Sequence, residues 1–357
     1  MHLGEQLIDP TDSRLKLSAQ LGAQGIVIDT RPNRDILDGD GYWDAGLIAK
    51  QRRRIAGFGL TLEGLALDVG SLLMDSLRAP EKAKATTERL RRAIRAAADG
   101  GVDMVKYTVA MVGITRTGVV DGRGGMKCST FKADEYSLEA DERFSYWGTV
   151  LPESGAGAHS PRDAKGTAEM GGQATAAQAG GVSEAEGWRA IEFLVSELLP
   201  TAEKAGVRLA CHPHDPAYPL GGLNGVHHVL GSLDGLRRFI ALAPESRSLG
   251  FNFCQGTIAE MSKDPTAVVL EAIREFGPQK RIFMVHFRNI LGGYLDFREA
   301  MPDEGSVDMA ACIRAYREVG YAGVLCPDHV PFSDVDPDRE RFFAFCLGYT
   351  KALLQTA

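Results

Sequence analysis

Four short apolar runs in the C-terminal half of the chain each end on a side chain able to ligate a metal, and this restricts the fold more than any other feature. They read Val207-Arg-Leu-Ala-Cys-His212, Leu249-Gly-Phe-Asn-Phe-Cys254, Arg281-Ile-Phe-Met-Val-His286 and Gly323-Val-Leu-Cys-Pro-Asp328. Successive candidates, His212, Cys254, His286 and Asp328, lie 42, 32 and 42 residues apart. Zinc ribbons and fingers use far shorter ligand spacings. Each interval instead suits one strand and one helix. In a (β/α)8 barrel all strands are parallel and their C-terminal ends gather at one mouth, so residues one unit apart in sequence become neighbours around a ring. Four such ligands can then converge on one ion.

The same alternation runs upstream. Met1 to Gln6 is a first strand with Glu5 near its mouth, and Asp12 or Ser13 caps a helix through Leu21. Gly25 to Asp29 is a continuous apolar run closed by an acid, as in a strand buried on both faces. Helical patterns over 43–58 and 81–98 bracket a third strand, Leu60 to Leu65, and Gly100-Gly101 stops the second helix before a fourth strand, Val102 to Tyr107. From Thr108 to Gly181 the chain is rich in Gly, Ala, Ser and Thr, with little periodicity after Leu151. Ser183 and Glu186 then have capping-box spacing and open a helix to about Lys204. Further helices are expected from Ser232, Pro265 and Asp308, and over 338–354. Crossovers between parallel strands are almost always right-handed, so eight such strands close most simply into a barrel. The expected architecture is a single (β/α)8 TIM-barrel domain over 1–357, with 108–181 a long β4-α4 insertion or lid within it.

Charge and cysteine usage narrow the function classes. The 47 acidic and 40 basic residues are interspersed and give a net charge of −7, with no basic stripe for nucleic acid and no polybasic membrane patch. No run of about 18 apolar residues is present, which argues against a membrane span. Neither a secretory signal nor a disulfide framework can be read from the N-terminus or the six scattered cysteines, so a cytoplasmic enzyme with reduced thiols is expected. There is no dinucleotide fingerprint, P-loop or nucleophile elbow in context, which disfavours hydride and phosphoryl transfer.

The chemistry concentrates at the strand ends. In Cys211-His-Pro-His-Asp-Pro216 the prolines stiffen a segment carrying His212 as ligand and a second histidine, His214. Cys254 precedes a glycine turn, and its thiolate favours a transition ion or zinc over magnesium. His286 is followed by Arg288 and Asn289, the arginine offering a planar fork for a carboxylate. Asp328 supplies a carboxylate ligand, and the adjacent His329 is left for acid-base work. Lys106 and Arg116 bracket a pocket suited to an anionic group. Two imidazoles, a thiolate and a carboxylate do not make the closed cysteine-rich shell of structural zinc, so a site open to substrate is expected.

These motifs, in this order, resemble the mannonate dehydratase family, metal-dependent barrels of the xylose-isomerase-like class. The matching marks are Thr115-Arg116-Thr117, His212-Pro213 with Asp215-Pro216, Phe253-Cys254-Gln255-Gly256, His286-Phe287-Arg288-Asn289, Pro302-Asp303-Glu304-Gly305 with Val307-Asp308-Met309, and Pro327-Asp328-His329. The resemblance implies that His212, Cys254, His286 and Asp328 bind a divalent ion, manganese first, with iron, cobalt and zinc as the other candidates. It implies that His329 takes part in catalysis, as base or as acid, and that the reaction converts D-mannonate into 2-keto-3-deoxy-D-gluconate and water. Arg116, Lys106, Arg288 and Asn289 would bind the sugar acid. The chain departs from the family pattern at His214, where an aspartate is usual. It departs again over Val330 to Asp336, where a glycine-rich segment with a proton-transferring tyrosine is expected. His214 then either replaces that tyrosine in catalysis or marks a different sugar substrate. The alternatives are a divalent-metal sugar isomerase or epimerase with a carboxylate such as Glu63 as proton shuttle, another metal-assisted β-elimination, or a sugar-binding barrel without activity. A homo-oligomer is expected by analogy with such barrels.

Overall fold

The computed structural model describes residues 1–29, 34–111, 113–144, 181–218, 221–223 and 225–356. Twelve strands are found among them: β1 (His2–Leu7), β2 (Gly25–Ile28), β3 (Thr61–Ala66), β4 (Met104–Thr108), β5 (Gly118–Asp121), β6 (Lys127–Lys132), β7 (Arg208–His212), β8 (Leu249–Cys254), β9 (Ile282–His286), β10 (Ile290–Gly293), β11 (Asp296–Glu299) and β12 (Val324–Cys326). Eight of them, β1, β2, β3, β4, β7, β8, β9 and β12, close in that order into a parallel barrel, β12 pairing back onto β1. These are the eight strands that the apolar runs predict.

Strand parity sorts the side chains into two layers. Val105, Leu209, Phe251, Phe253, Val285 and Leu325 face outward into the main core between barrel and helices. Met104, Ala210, Met284, Val324 and Cys326 pack together inside the barrel. Two residues further along their strands, on the same face, come Lys106, His212, His286 and, past the end of β12, Asp328. The interior is thus an apolar plug topped by a polar layer at the C-terminal mouth, where barrel enzymes carry their chemistry. Register reinforces this, because Cys254 and Cys326 both pair with His286 and Thr108 pairs with His212.

The helices start where side chains can accept from their first amides. The expected capping box is present: Ser183 accepts from the Glu186 amide, Glu186 bonds back to the Ser183 amide, and the helix Glu184–Ala205 ends on Gly206 at φ 69°. Ser232, Asp264 and Asp308 cap the later helices. For the first helix, Asp12–Leu21, the cap is Thr11 instead of Asp12 or Ser13. Thr11 keeps an extended backbone and its hydroxyl accepts from the Arg14 amide.

β5, β6, β10 and β11 form a second, antiparallel sheet in the order β10-β11-β6-β5. Its two hairpins come from the segments that follow β4 and β9, so it stands at the mouth of the barrel. Phe131 of β6 and Phe297 of β11 pack at 5.8 Å between ring centroids. Reciprocal backbone bonds between Lys127 and Phe332 tie the sheet to the segment after β12. The segment expected as an insertion therefore begins with an ordered hairpin, while its stretch 151–180 lies outside the described residues. Among the described residues no helix is long and apolar enough to cross a membrane.

Candidate metal centre

One ligand atom from each of His212, Cys254, His286 and Asp328 can be chosen so that all four lie within 4.8 Å of one another. Ligand bonds of about 2.0–2.3 Å put two ligands on opposite sides of an ion about 4–4.6 Å apart, so the cluster has the dimensions of one coordination shell. The ring tautomers agree. Nδ1 of His212 lies 2.7 Å from the Pro213 carbonyl and must donate to it, which leaves Nε2 with its lone pair. In His286, Nδ1 stands 3.1 Å from Oδ2 of Asp328, and both atoms are buried without forming a hydrogen bond. Orphaned buried polar atoms are rare, and two that face each other inside a donor cluster are what a cation would satisfy. Ligation through Nδ1 requires Nε2–H, and Gln6 Oε1 lies 3.1 Å away to accept it. Asn252 Nδ2 sits 3.2 Å from the same nitrogen while its Oδ1 is buried without a partner. That amide is better satisfied turned over, with Oδ1 accepting from Nε2–H.

Protonation also suits a cation. Burial, assisted by Lys106, lowers the His212 pKa and keeps the ring neutral. Burial opposes ionisation of Asp328, yet His286 and His329 hold its carboxyl well below the usual range. Cys254 Sγ receives the Thr257 hydroxyl at 3.1 Å and has Nη1 of Arg288 at 4.0 Å.

Beside the cluster opens a cavity lined by Gln6, Lys106, Asp215, His286, Asp328 and His329, among others. Next to it lies a buried ionic network. Arg116 donates to Asp215 at 2.8 Å and Glu299 at 2.7 Å; Arg288 donates to Asp215 at 2.7 Å, Glu260 at 2.9 Å and Glu299 at 2.6 Å. Both guanidiniums are at most 1% exposed. Burial raises the carboxyl pKa of all three acids. In Glu299 the charges of Arg288, His329 and Arg116 prevail and bring it down to about 2, and the two arginines lower Asp215 further. Glu260, with Asp215 nearby, is pushed up.

Of the ten residues singled out in the sequence, the structure brings His212, Cys254, His286 and Asp328 into the cluster and Lys106 and His329 to its cavity. Arg116 and Arg288 sit in the ionic network, where internal carboxylates take up the forks that a substrate was expected to fill. Asn289 staples the 302–307 segment: its amide donates to the Pro302 and Val307 carbonyls, and its Oδ1 accepts from the Ile290 and Val307 amides. His214 is buried away from the cavity. It stacks on His228 at 5.0 Å, and its Nδ1 accepts from the Leu230 amide. Glu5, expected near the mouth, points outward to Arg14 and Ser18 of the first helix, because Gln6 takes the inward position. Glu63 hydrogen-bonds His2, the first residue of β1, at the end of the barrel opposite the mouth. The sequence reading misses Gln6, Asn252, Glu260 and Glu299, and marks Asp215 only as part of the His212–Pro216 motif. Two-residue alternation back from Cys254 would have found Asn252; nothing local marks Glu260 or Glu299.

The profile of the family described as D-mannonate dehydratase (UxuA) matches residues 9–339. The mannonate dehydratase of Streptococcus uberis is 38% identical over 151 residues, 42% of this chain and 41% of that protein. Mannonate dehydratase 2 of Halalkalibacterium halodurans is 32% identical over 151 residues, 42% of each chain. The matched stretch therefore spans less than half the length of these relatives. Among solved structures, mannonate dehydratase from Streptococcus suis serotype 2 shares the fold at a TM-score of 0.72 and 22% identity, over 99% of this chain and 93% of that one. A D-tagatose 3-epimerase-like protein does so at 0.56 and 15%, over 99% and 97%.

Proposed function

Since the chain belongs to the D-mannonate dehydratase family, we propose that it removes water from D-mannonate to give 2-keto-3-deoxy-D-gluconate. The observation that carries this reading is the four-donor cluster with two orphaned buried atoms, opening on a cavity that also holds an acid-base histidine, His329. A divalent ion held by His212, Cys254, His286 and Asp328, for which we propose manganese, would supply positive charge to offset the enolate-like charge that builds on the sugar acid.

The residues of the chain supply the rest. Lys106, at the cavity wall and hydrogen-bonded to Gln6, offers a cation to the substrate carboxylate. His329 exchanges a proton with the substrate. In the elimination the C2–H bond breaks, its proton goes to the base and its electron pair forms the C2–C3 double bond; the C3–O bond breaks and the hydroxyl, taking up one proton, leaves as water, and the enol then becomes the 2-keto acid. Arg116, Arg288 and Asn289 act on the substrate indirectly, by fixing the walls of the site. Glu63, one carboxylate that could have served the isomerase alternative as proton shuttle, is engaged by His2 at the opposite end of the barrel.

The test is incubation of the manganese-loaded protein with D-mannonate and detection of a 2-keto-3-deoxy acid by periodate-thiobarbiturate colour. His329→Asn should keep its metal and lose turnover. Sugar interconversion without that product would overturn the reading.

A further inference from the structure

Glu299 ends β11, a strand of the second sheet and not of the barrel, yet its carboxylate reaches the acid-base histidine of the mouth. Oε1 receives Nη2 of Arg116 at 2.7 Å, Nη2 of Arg288 at 2.6 Å and Nδ1 of His329 at 3.0 Å; Oε2 receives Nε of Arg288 at 2.8 Å. Every partner of this carboxylate among the described residues is a donor. Two guanidiniums keep it anionic, and an anionic carboxylate can only accept, so Nδ1 of His329 must carry a hydrogen. We infer that Glu299 is the positioning residue of His329, fixing it as the Nδ1–H tautomer and presenting Nε2 to the cavity as the nitrogen that takes the substrate proton.

This inference rests on the proposed dehydration, and it assigns a direction there: His329 starts as the base. The C2 proton moves to Nε2, and the imidazolium so formed has the Glu299 carboxylate on its other nitrogen to match its new charge. Nε2 stands 3.6 Å from Oδ2 of Asp328, on the side of the metal cluster. Without Glu299 the ring would favour Nε2–H, the more stable neutral tautomer in water, which cannot accept a proton there. The same logic makes a buried carboxylate behind a catalytic histidine a tautomer selector.

A merely structural Glu299 is separable from a positioning one through Glu299→Leu. Glutamine could keep its carbonyl oxygen in the place of Oε1 and still accept from Nδ1–H, whereas leucine has no acceptor. Nδ1 of His329 is then left beside the Nη2 donors of Arg116 and Arg288, where it can only accept, and the ring becomes Nε2–H. With histidine labelled in 15N and the protein loaded with diamagnetic zinc, long-range 1H–15N correlation above the imidazole titration range reads the tautomer, and His329→Asn identifies the signal. The wild type should show Nδ1–H, and Glu299→Leu should show Nε2–H. Turnover of D-mannonate by the manganese form should fall by about 10²–10⁴-fold in kcat, with KM and metal stoichiometry held. A wild-type His329 that is Nε2–H or averaged between tautomers overturns the inference, and that spectrum decides even if the variant does not fold. A folded Glu299→Leu protein with an unchanged tautomer also overturns it. If the wild type shows Nδ1–H, Glu299→Leu shifts it and D-mannonate is not dehydrated, the proposed function fails while the positioning stands.

Discussion

Replacing Arg288 with methionine keeps most of the side-chain volume and removes the cation that binds three carboxylates at once. Arg288 donates to Asp215, Glu260 and Glu299, and among the described residues it is the ion-pair partner of Glu260. Arg288→Met leaves three buried acids facing Arg116. Removing one member of a buried ion-pair network costs about 3–5 kcal/mol, because the remaining charge is uncompensated. An unfolding entropy of about 2.1 cal/mol/K per residue over 357 residues gives roughly 0.75 kcal/mol/K, so Tm should drop by about 4–7 °C. The assay is thermal unfolding followed by circular dichroism on the chelated protein, so that changes in metal binding do not enter. The pH dependence has a defined sign. In the wild type the lowered pKa of Glu299 and Asp215 contributes stability that is complete above the ordinary carboxylate range and is lost as pH falls toward about 2. In the variant, burial prevails and these carboxyls take up protons at higher pH. The stability gap should therefore be widest near about pH 8 and narrow toward about pH 5. A Tm change below about 1 °C at pH 8, or a gap that widens on acidification, would refute the charge-balance reasoning.

Three further outcomes follow from the geometry. Cys254→Ser replaces a soft donor with a hard one and should weaken zinc binding more than manganese binding in competition titrations; equal losses would contradict the assignment of the thiolate as ligand. Asn252→Leu removes the amide beside Nε2 of His286 and should raise the metal Kd by about 10–100-fold, whereas an unchanged Kd would deny it any role in orienting that ring. In Gly256→Ala the new methyl would lie 2.6 Å from Cδ and 2.7 Å from Cγ of Arg288. That should destabilise by about 1–3 kcal/mol in urea unfolding, and a neutral result would show that Arg288 can yield without leaving its carboxylates.

The barrel was legible because its information is local and periodic. Each apolar run is one strand, and the two-residue alternation that puts Ala210 in the interior also puts His212 at the mouth. The second sheet was not legible. Its hairpin from Ile290 to Glu299 has glycines where strand patterning would show, and its turn carries Leu295 at φ 65°, a conformation that no Asn-Gly or Asp-Gly signal announces. The same limit hid the network. The fork of Arg288 is visible as chemistry, but whether it meets a substrate carboxylate or an internal one depends on Glu299, which arrives on that unpredicted strand. Glu5 and Gln6 show how a one-residue difference in strand phase exchanges core and mouth assignments.

The central claim is that four side chains from successive parts of the barrel hold a single cation. Crystals of the manganese-loaded protein, measured at the manganese absorption edge, test it most directly. The anomalous map should contain one strong peak per chain at the mouth, bonded to Nε2 of His212, Sγ of Cys254, Nδ1 of His286 and the Asp328 carboxylate. A peak bound by other residues, or none at the mouth of a fully loaded protein, would contradict it.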